Sequence, residues 1–206
     1  YEAGLAQSGV IRVDSVEELF DAASILADQP VPDSDEVAIV TNAGGPGVMA
    51  TDAVGDADLS LAEFTDETLD ALDERLPNGA NIYNPVDVIG DAPTDRYEQT
   101  LDVVLEDPNV GMAIVLACPS AIFSFEELAT TIVQQQEAHD LPVVGVLMGG
   151  TSAREANETL SDVGIPSYFD PARAVRSLEI LSEYGENKVR EATEPTTFDV
   201  DRERAQ

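Results

Sequence analysis

Short unbroken apolar runs alternate along this chain with segments whose apolar residues recur every third or fourth position. The apolar runs are Val37 to Thr41, Met112 to Cys118 and Pro142 to Met148; Leu59 to Phe64 reads as a second strand, Asn81 to Ile89 as a third extended stretch and Ile165 to Phe169 as a brief sixth strand. Each has the length of a strand, and the lack of regular polar alternation points to strands covered on both faces. Between them the spacing predicts helices. Ser15 with Glu18 forms a capping box opening a helix from Val16 to about Ala27, with Leu19, Phe20, Ala23 and Leu26 on one face. Val48 to Val54 reads as the next helix. Thr65 caps one carrying Leu69, Leu72 and Leu76, and another carries Tyr97, Leu101, Val104 and Leu105. Ser124 with Glu127 and Ser152 with Glu155 read as further capping boxes, and Asp170-Pro171 starts a last helix to about Tyr184.

Apolar strands joined by helices imply a parallel sheet with helices on both faces. The expected class is α/β: a flavodoxin-like, doubly wound parallel sheet of five or six strands. Residues 1–32 read as an entry helix and linker, 33–185 as the flavodoxin-like domain, and 186–206 as an acidic linker. Such sheets bind ligands at the carboxyl ends of their strands, so the loops there hold the candidate chemistry.

Charge narrows the classes of function. Forty-one acidic residues face ten basic ones, for a net charge of −31, and Lys188 is the only lysine. The acids are spread along the chain, which describes a solvated acidic coat rather than a tail. Salt would screen such a coat, so the expected setting is a high-salt cytoplasm; a surface for a basic partner is the other reading. Without a basic stripe to displace counterions, nucleic-acid binding is excluded. No apolar run is long enough to cross a bilayer, no signal peptide opens the chain, and no membrane partner is expected. The single cysteine, Cys118, rules out an internal disulfide, and one histidine with no CxxC argues against a metal site. The chain opens on Tyr1 in mid-pattern, as a fragment would.

Four loops follow the strands. Thr41-Asn42-Ala43-Gly44-Gly45-Pro46-Gly47 has three glycines and leads into a helix, where free N–H groups and the helix dipole suit an anion; a tight structural turn is the alternative. It is neither a Walker loop nor a GxGxxG fingerprint. In Asn84 to Asp91, Asp87 is expected to organise the loop by accepting backbone N–H bonds, or else to touch a ligand. Cys118 to Ser124 leads from the central strand into a capped helix, and Cys118 itself reads as a core residue. Met148 to Ser152 reads as a turn. None of the four contains Lys or Arg, so an anion here would rest on backbone N–H groups and on Asn42, Ser120 and Thr151. His139 reads as a surface residue on the opposite edge.

VAIVTNAGGPGVMATDA (Val37–Ala53) and NPVDVIGDA (Asn84–Ala92) resemble the ADP-forming acyl-CoA synthetases, relatives of succinyl-CoA synthetase. Further similarity lies in AQSGVIRVDSVEELF (Ala6–Phe20), in Ile114–Cys118 and in GIPSYFDPARAVRSL (Gly164–Leu178). The resemblance implies the reaction acyl-CoA + ADP + phosphate ⇌ acid + ATP + CoA, run through an acyl phosphate and a phosphohistidine. It assigns this chain to the CoA-ligase domain, which cradles the phosphate or phosphohistidine with helix N-termini. The partners it implies are the CoA-binding and histidine-bearing domains and the ATP-grasp unit of one enzyme, expected to be oligomeric at full length. It implies CoA, ADP or ATP and Mg as cofactors of that enzyme, with none bound by this chain alone. By the same resemblance Asn42, Ala43, Gly44, Gly45 and Gly47 match the glycine-rich loop, and Ser120, Ala121 and Ile122 match the substrate-contacting loop at a helix start. The resemblance places the phosphorylated histidine before Tyr1, so His139 does not inherit that role and this chain carries no catalytic residue. It likens Phe198–Asp201 to the lead-in of an ATP-grasp segment.

The expected function is therefore that of an acid–CoA ligase domain, inactive when isolated. A synthetase-like regulatory portion of a fused protein acetyltransferase is the alternative. A signalling receiver is excluded, because Asn42-Ala43 and Gly149-Gly150 stand where its acidic pair and lysine would be. A flavodoxin is excluded by the lack of a hydroxyl-rich phosphate loop and flanking aromatics.

Overall fold

The computed structural model describes residues 4–5, 8–120 and 122–189. In chain order the elements are α1 (Val16–Asp28), β1 (Glu36–Thr41), α2 (Gly44–Asp56), β2 (Ser60–Leu61), α3 (Asp66–Arg75), β3 (Val86–Asp87) and α4 (Thr94–Val104). They continue with β4 (Met112–Ala117), α5 (Phe125–His139), β5 (Val143–Leu147), α6 (Thr151–Asp162), β6 (Ser167–Tyr168) and α7 (Pro171–Val189).

Six strands form one parallel sheet in the order β2-β1-β4-β5-β6, with β3 also paired to β1. β2 pairs with the first residues of β1 and β3 with its last, so the two share one edge in tandem. Apart from β3, this is the flavodoxin strand order. The path runs outward from β1 on one side and resumes at β4 on the other, which makes the β1–β4 crevice the topological switch point.

The sheet's two faces differ in side-chain size. Val37, Ile39, Met112, Ile114, Leu116, Val144 and Val146 meet α1, α2 and α7, which answer with Ala50, Val54, Ala174 and Val175 beside Ile25 and Leu178. The opposite face offers Ala38, Val40, Ala113, Val115 and Ala117, and there α3 to α6 bring Leu72, Tyr97, Leu101, Leu128, Ile132 and Leu160. Both faces are thus covered by buried helical side chains, and both layers fill to the density interiors require.

Several expectations need correction. On α1 the buried residues are Ala22 and Ile25; Leu19 and Phe20 are exposed, and so is Val16. What holds α1 to α7 on that side is ionic: Arg173 pairs with Glu17 and Asp21, and Arg176 with Glu18 and Glu179. The Ser15 cap forms as expected, with Ser15 Oγ accepting from Glu18 N–H at 3.0 Å, but the Glu18 carboxylate reaches Asp14 N–H rather than Ser15. The glycine run is not a loop. Gly44 to Gly47 make the first turn of α2, four residues ahead of the expected start. Ser152 does not cap α6, which begins one residue earlier behind Gly150. The extended stretch at Leu59–Phe64 shrinks to Ser60–Leu61, and that at Asn81–Ile89 to Val86–Asp87 with an isolated antiparallel bridge between Asn81 and Asp87. α7 continues through Glu186–Lys188 to Val189, where a linker was expected, and residues 190–206, with the Phe198–Asp201 segment, lie outside the described residues. His139 is the last residue of α5 and is half-buried.

Candidate functional site

Two loops leave the switch point side by side, and one side chain ties them together. Asn42 follows β1 and Cys118 follows β4. Asn42 Oδ1 accepts from Cys118 N–H at 2.8 Å, and its Nδ2 donates to the Cys118 carbonyl at 2.9 Å. The amide mimics a strand backbone and extends the β1–β4 ladder by one residue. Asn42 is accordingly buried, and both ends of its side-chain amide bond to Cys118. Thr41 fixes the next residue: its Oγ1 accepts from Ala43 N–H at 3.0 Å and donates to the Ala43 carbonyl at 3.1 Å.

α2 starts at once behind this turn. Its N-cap, Ala43, has no side chain to accept the first amides, and Gly47 N–H bonds to the Ala43 carbonyl at 3.1 Å. The Gly44 and Gly45 N–H groups therefore have no acceptor within the helix. Gly47 is where size matters: a Cβ there would lie 3.1 Å from Thr41 Cγ2, so α2 sits closer to β1 than alanine allows comfortably. Asp87, from β3, completes this side. Its Oδ1 accepts from Ile89 N–H at 2.8 Å, and its Oδ2 lies 3.7 Å from where a Cβ on Gly44 would stand. A carboxylate thus flanks the positive end of α2.

The other loop offers less helix end than its sequence implies. α5 starts at Phe125, and Ser124 Oγ already accepts from Glu127 N–H at 3.3 Å. Ser120 and Ile122 precede that cap. The Ser120 hydroxyl is buried without a hydrogen-bond partner, while the Ile122 side chain is exposed; Ala121 lies outside the described residues. Cys118 is half-buried, and burial pushes its thiol up, away from thiolate chemistry.

Asn84, Arg96 and Tyr97 complete the surroundings. Asn84 inserts its amide between strands: Oδ1 accepts from Ile39 N–H at 3.0 Å, and Nδ2 donates to the Val37 and Ala62 carbonyls at 2.8 and 3.0 Å. Arg96, from α4, donates to the Val88 carbonyl at 2.7 Å and to Asp91 at 2.9 Å, so a cation folds onto a loop that contains none. Tyr97 is fully buried beneath the crevice and donates to the Leu116 carbonyl at 2.8 Å. Burial, opposed by the Asn42 backbone N–H, pushes its phenol well above the ordinary value, so it stays a donor. Among the described residues no cluster of His, Cys, Asp or Glu could hold a metal, and no helix is long and apolar enough to cross a membrane.

The Ligase-CoA domain family model matches residues 37–182. The whole chain is 40% identical to an ADP-forming acetate–CoA ligase I of Archaeoglobus fulgidus and 35% identical to an ADP-forming 4-hydroxybutyrate–CoA ligase of Nitrosopumilus maritimus. It spans only 29% of the length of each. Among solved structures it matches the dinucleotide-forming acetyl-coenzyme A synthetase 1 of Ca. Korarchaeum cryptofilum, in complex with phosphate and ADP. That match has 30% identity and a TM-score of 0.85, over 91% of this chain and 41% of the other. The family match falls on the sheet and on every loop of the switch point, and the chain belongs to the Ligase-CoA domain family.

Proposed function

We propose that this chain is the CoA-ligase domain of an ADP-forming acyl-CoA synthetase and that its switch point seats the transferring phosphate. The observation that carries this reading is that the two loops tied together by Asn42 hold three unengaged hydrogen-bond donors: the Gly44 and Gly45 N–H groups and the Ser120 hydroxyl. Helix-start amides are fixed in place before the anion arrives and so stabilise phosphoryl charge without reorganisation. The relative solved with phosphate and ADP supports the choice of anion. The seat is narrower than the sequence suggests: the Asn42 side chain and the Ala43 and Gly47 amides are engaged internally, and Ile122 contributes an apolar edge.

In this reading no side chain of the chain exchanges a proton with the substrate. Its part is to hold phosphate while neighbouring domains supply the histidine, CoA and nucleotide. ADP or ATP with Mg, and CoA, would be handled by those partners, and this chain alone would be inactive. The acidic coat suits a cytoplasm of molar salt, which screens charges beyond about 3 Å. The relatives at 40% and 35% identity are named for acids as different as acetate and 4-hydroxybutyrate, and both acyl groups enter the test.

The test is a CoA-release assay in molar KCl on the full-length protein that contains this chain, with acetyl-CoA and 4-hydroxybutyryl-CoA offered. Release of free CoA that requires both ADP and phosphate is the expected result. A folded protein that releases none with a panel of acyl-CoA esters would overturn the reading in favour of a regulatory role.

A further inference from the structure

The crevice loops rest on a row of aromatic rings, Tyr97 from α4, Phe123 from the Ser120 loop and Phe125 from the start of α5. The Tyr97 and Phe123 ring centroids are 5.7 Å apart, and Phe123 meets Phe125 edge to face at 4.9 Å. The row ends against the backbone of Gly149, where a Cβ would lie 2.9 Å from Phe125 Cε2 and 2.9 Å from Ala153 Cβ. At its other end the Tyr97 hydroxyl holds the Leu116 carbonyl, two residues before Cys118, beneath the Asn42 tie. One continuous contact series therefore joins the start of α2, the exit of the Ser120 loop and the start of α6.

We infer that Tyr97 is a positioning residue of the phosphate seat, setting the Ser120 loop against the start of α2 and coupled through Phe123 and Phe125 to Gly149. This rests on the phosphate reading given above. Three points support it. The phenol sits where the β1 and β4 ends must be held in register, and its only hydrogen-bonding atom is directed there rather than to solvent. Phe123 lies in the loop itself, one residue before the α5 cap, so a ring displaced under it moves the Ser120 hydroxyl. Gly149 has no room to absorb a shift of Phe125, because interiors this dense transmit displacement rather than cushion it. Tyr97 touches no reacting group; it acts through the backbone of Leu116 and the packing of Phe123.

The test is a titration of this chain with inorganic phosphate in molar KCl, followed by the amide resonances of Gly44 and Gly45. Tyr97→Phe removes one hydroxyl and keeps the ring, and Phe123→Leu removes a ring and keeps the hydroxyl. Both are expected to bind phosphate at least five-fold more weakly than wild type while unfolding cooperatively. A surface change such as Glu137→Gln should leave affinity unchanged. Gly149→Ala is expected to shift the Gly44 and Gly45 resonances from the far end of the row. If wild type binds and both variants bind with its affinity, the positioning role is wrong though the seat stands. If Tyr97→Phe fails to fold, Phe123→Leu alone decides. If wild type binds no phosphate, the seat itself is refuted and this role falls with it.

Discussion

Replacing Asn42 with alanine isolates the tie at the switch point. The substitution leaves the Cys118 N–H and carbonyl without the partners they have at 2.8 and 2.9 Å, in a place where Asn42 is only 5% exposed. An unsatisfied buried polar group costs about 1–3 kcal/mol. Partial access of water at the half-buried Cys118 favours the lower half of that range, so the pair together should cost about 2–4 kcal/mol. For a domain of this size each kcal/mol lowers the melting temperature by about 2–4 °C, which gives a fall of about 4–16 °C. Urea unfolding in fixed molar salt, with an unchanged slope, measures the difference directly. Asn42→Asp sharpens the test, because it keeps an acceptor for Cys118 N–H and sets an anionic oxygen against the Cys118 carbonyl. Protonating that carboxyl restores the donor, so its folded pKa is raised and the deficit should shrink as the pH falls through it. An Asn42→Ala variant within 0.5 kcal/mol of wild type would show that the tie contributes nothing to holding the strands.

Asn84→Ala removes partners from Ile39 N–H and from the Val37 and Ala62 carbonyls, and should lower stability in urea by about 2–4 kcal/mol; a loss under 0.5 kcal/mol would mean that water takes its place. Burial tends to raise the Glu18 carboxyl, but the Asp14 N–H and the Arg176 guanidinium outweigh it and hold it below its ordinary value. A depressed carboxyl stabilises above its unfolded pKa and loses that contribution as the pH falls through the folded one. Wild type should therefore exceed Glu18→Gln by about 0.5–1 kcal/mol above roughly pH 5, with the gap closing in acid; a gap independent of pH would contradict the ionic reading. Raising KCl from about 0.2 to 3 M should raise the melting temperature, because screening relieves repulsion within a coat of net charge −31; a flat or falling curve would count against the salt adaptation.

The sheet was legible where burial is complete. β1 and β4 read directly as apolar runs, because both their faces are covered. β2 and β3 were overread, since each has only half of one β1 edge to pair with, and an Asn84 side chain stands in for part of the ladder. On α1 the periodicity located apolar residues without showing which are covered: Leu19 and Phe20 point away while the charged Glu17, Glu18 and Asp21 turn toward α7. The glycines of α2 announced a close backbone approach but not that they begin the helix. The Asn42–Cys118 tie spans 76 residues of sequence, and no local pattern could reveal it. Tyr97 and Arg96 were invisible for a related reason. They lie on α4, whose apolar spacing reads as ordinary core, and only the folding of that helix beneath β1 and β4 brings them to the crevice.

The unequal sheet faces give this domain two different kinds of mutational fragility. Where Ala38, Ala113 and Ala117 lie fully buried in the layer that holds Leu72, Leu101 and Leu128, growth is the danger, because an added methyl enters a packed interior. Where Ile39, Ile114 and Leu116 project into the other layer, shrinkage is the danger, since the surrounding side chains close a gap only in part. Sequence drift in this fold is thus steered layer by layer, with one layer held to an upper size and the other to a lower one.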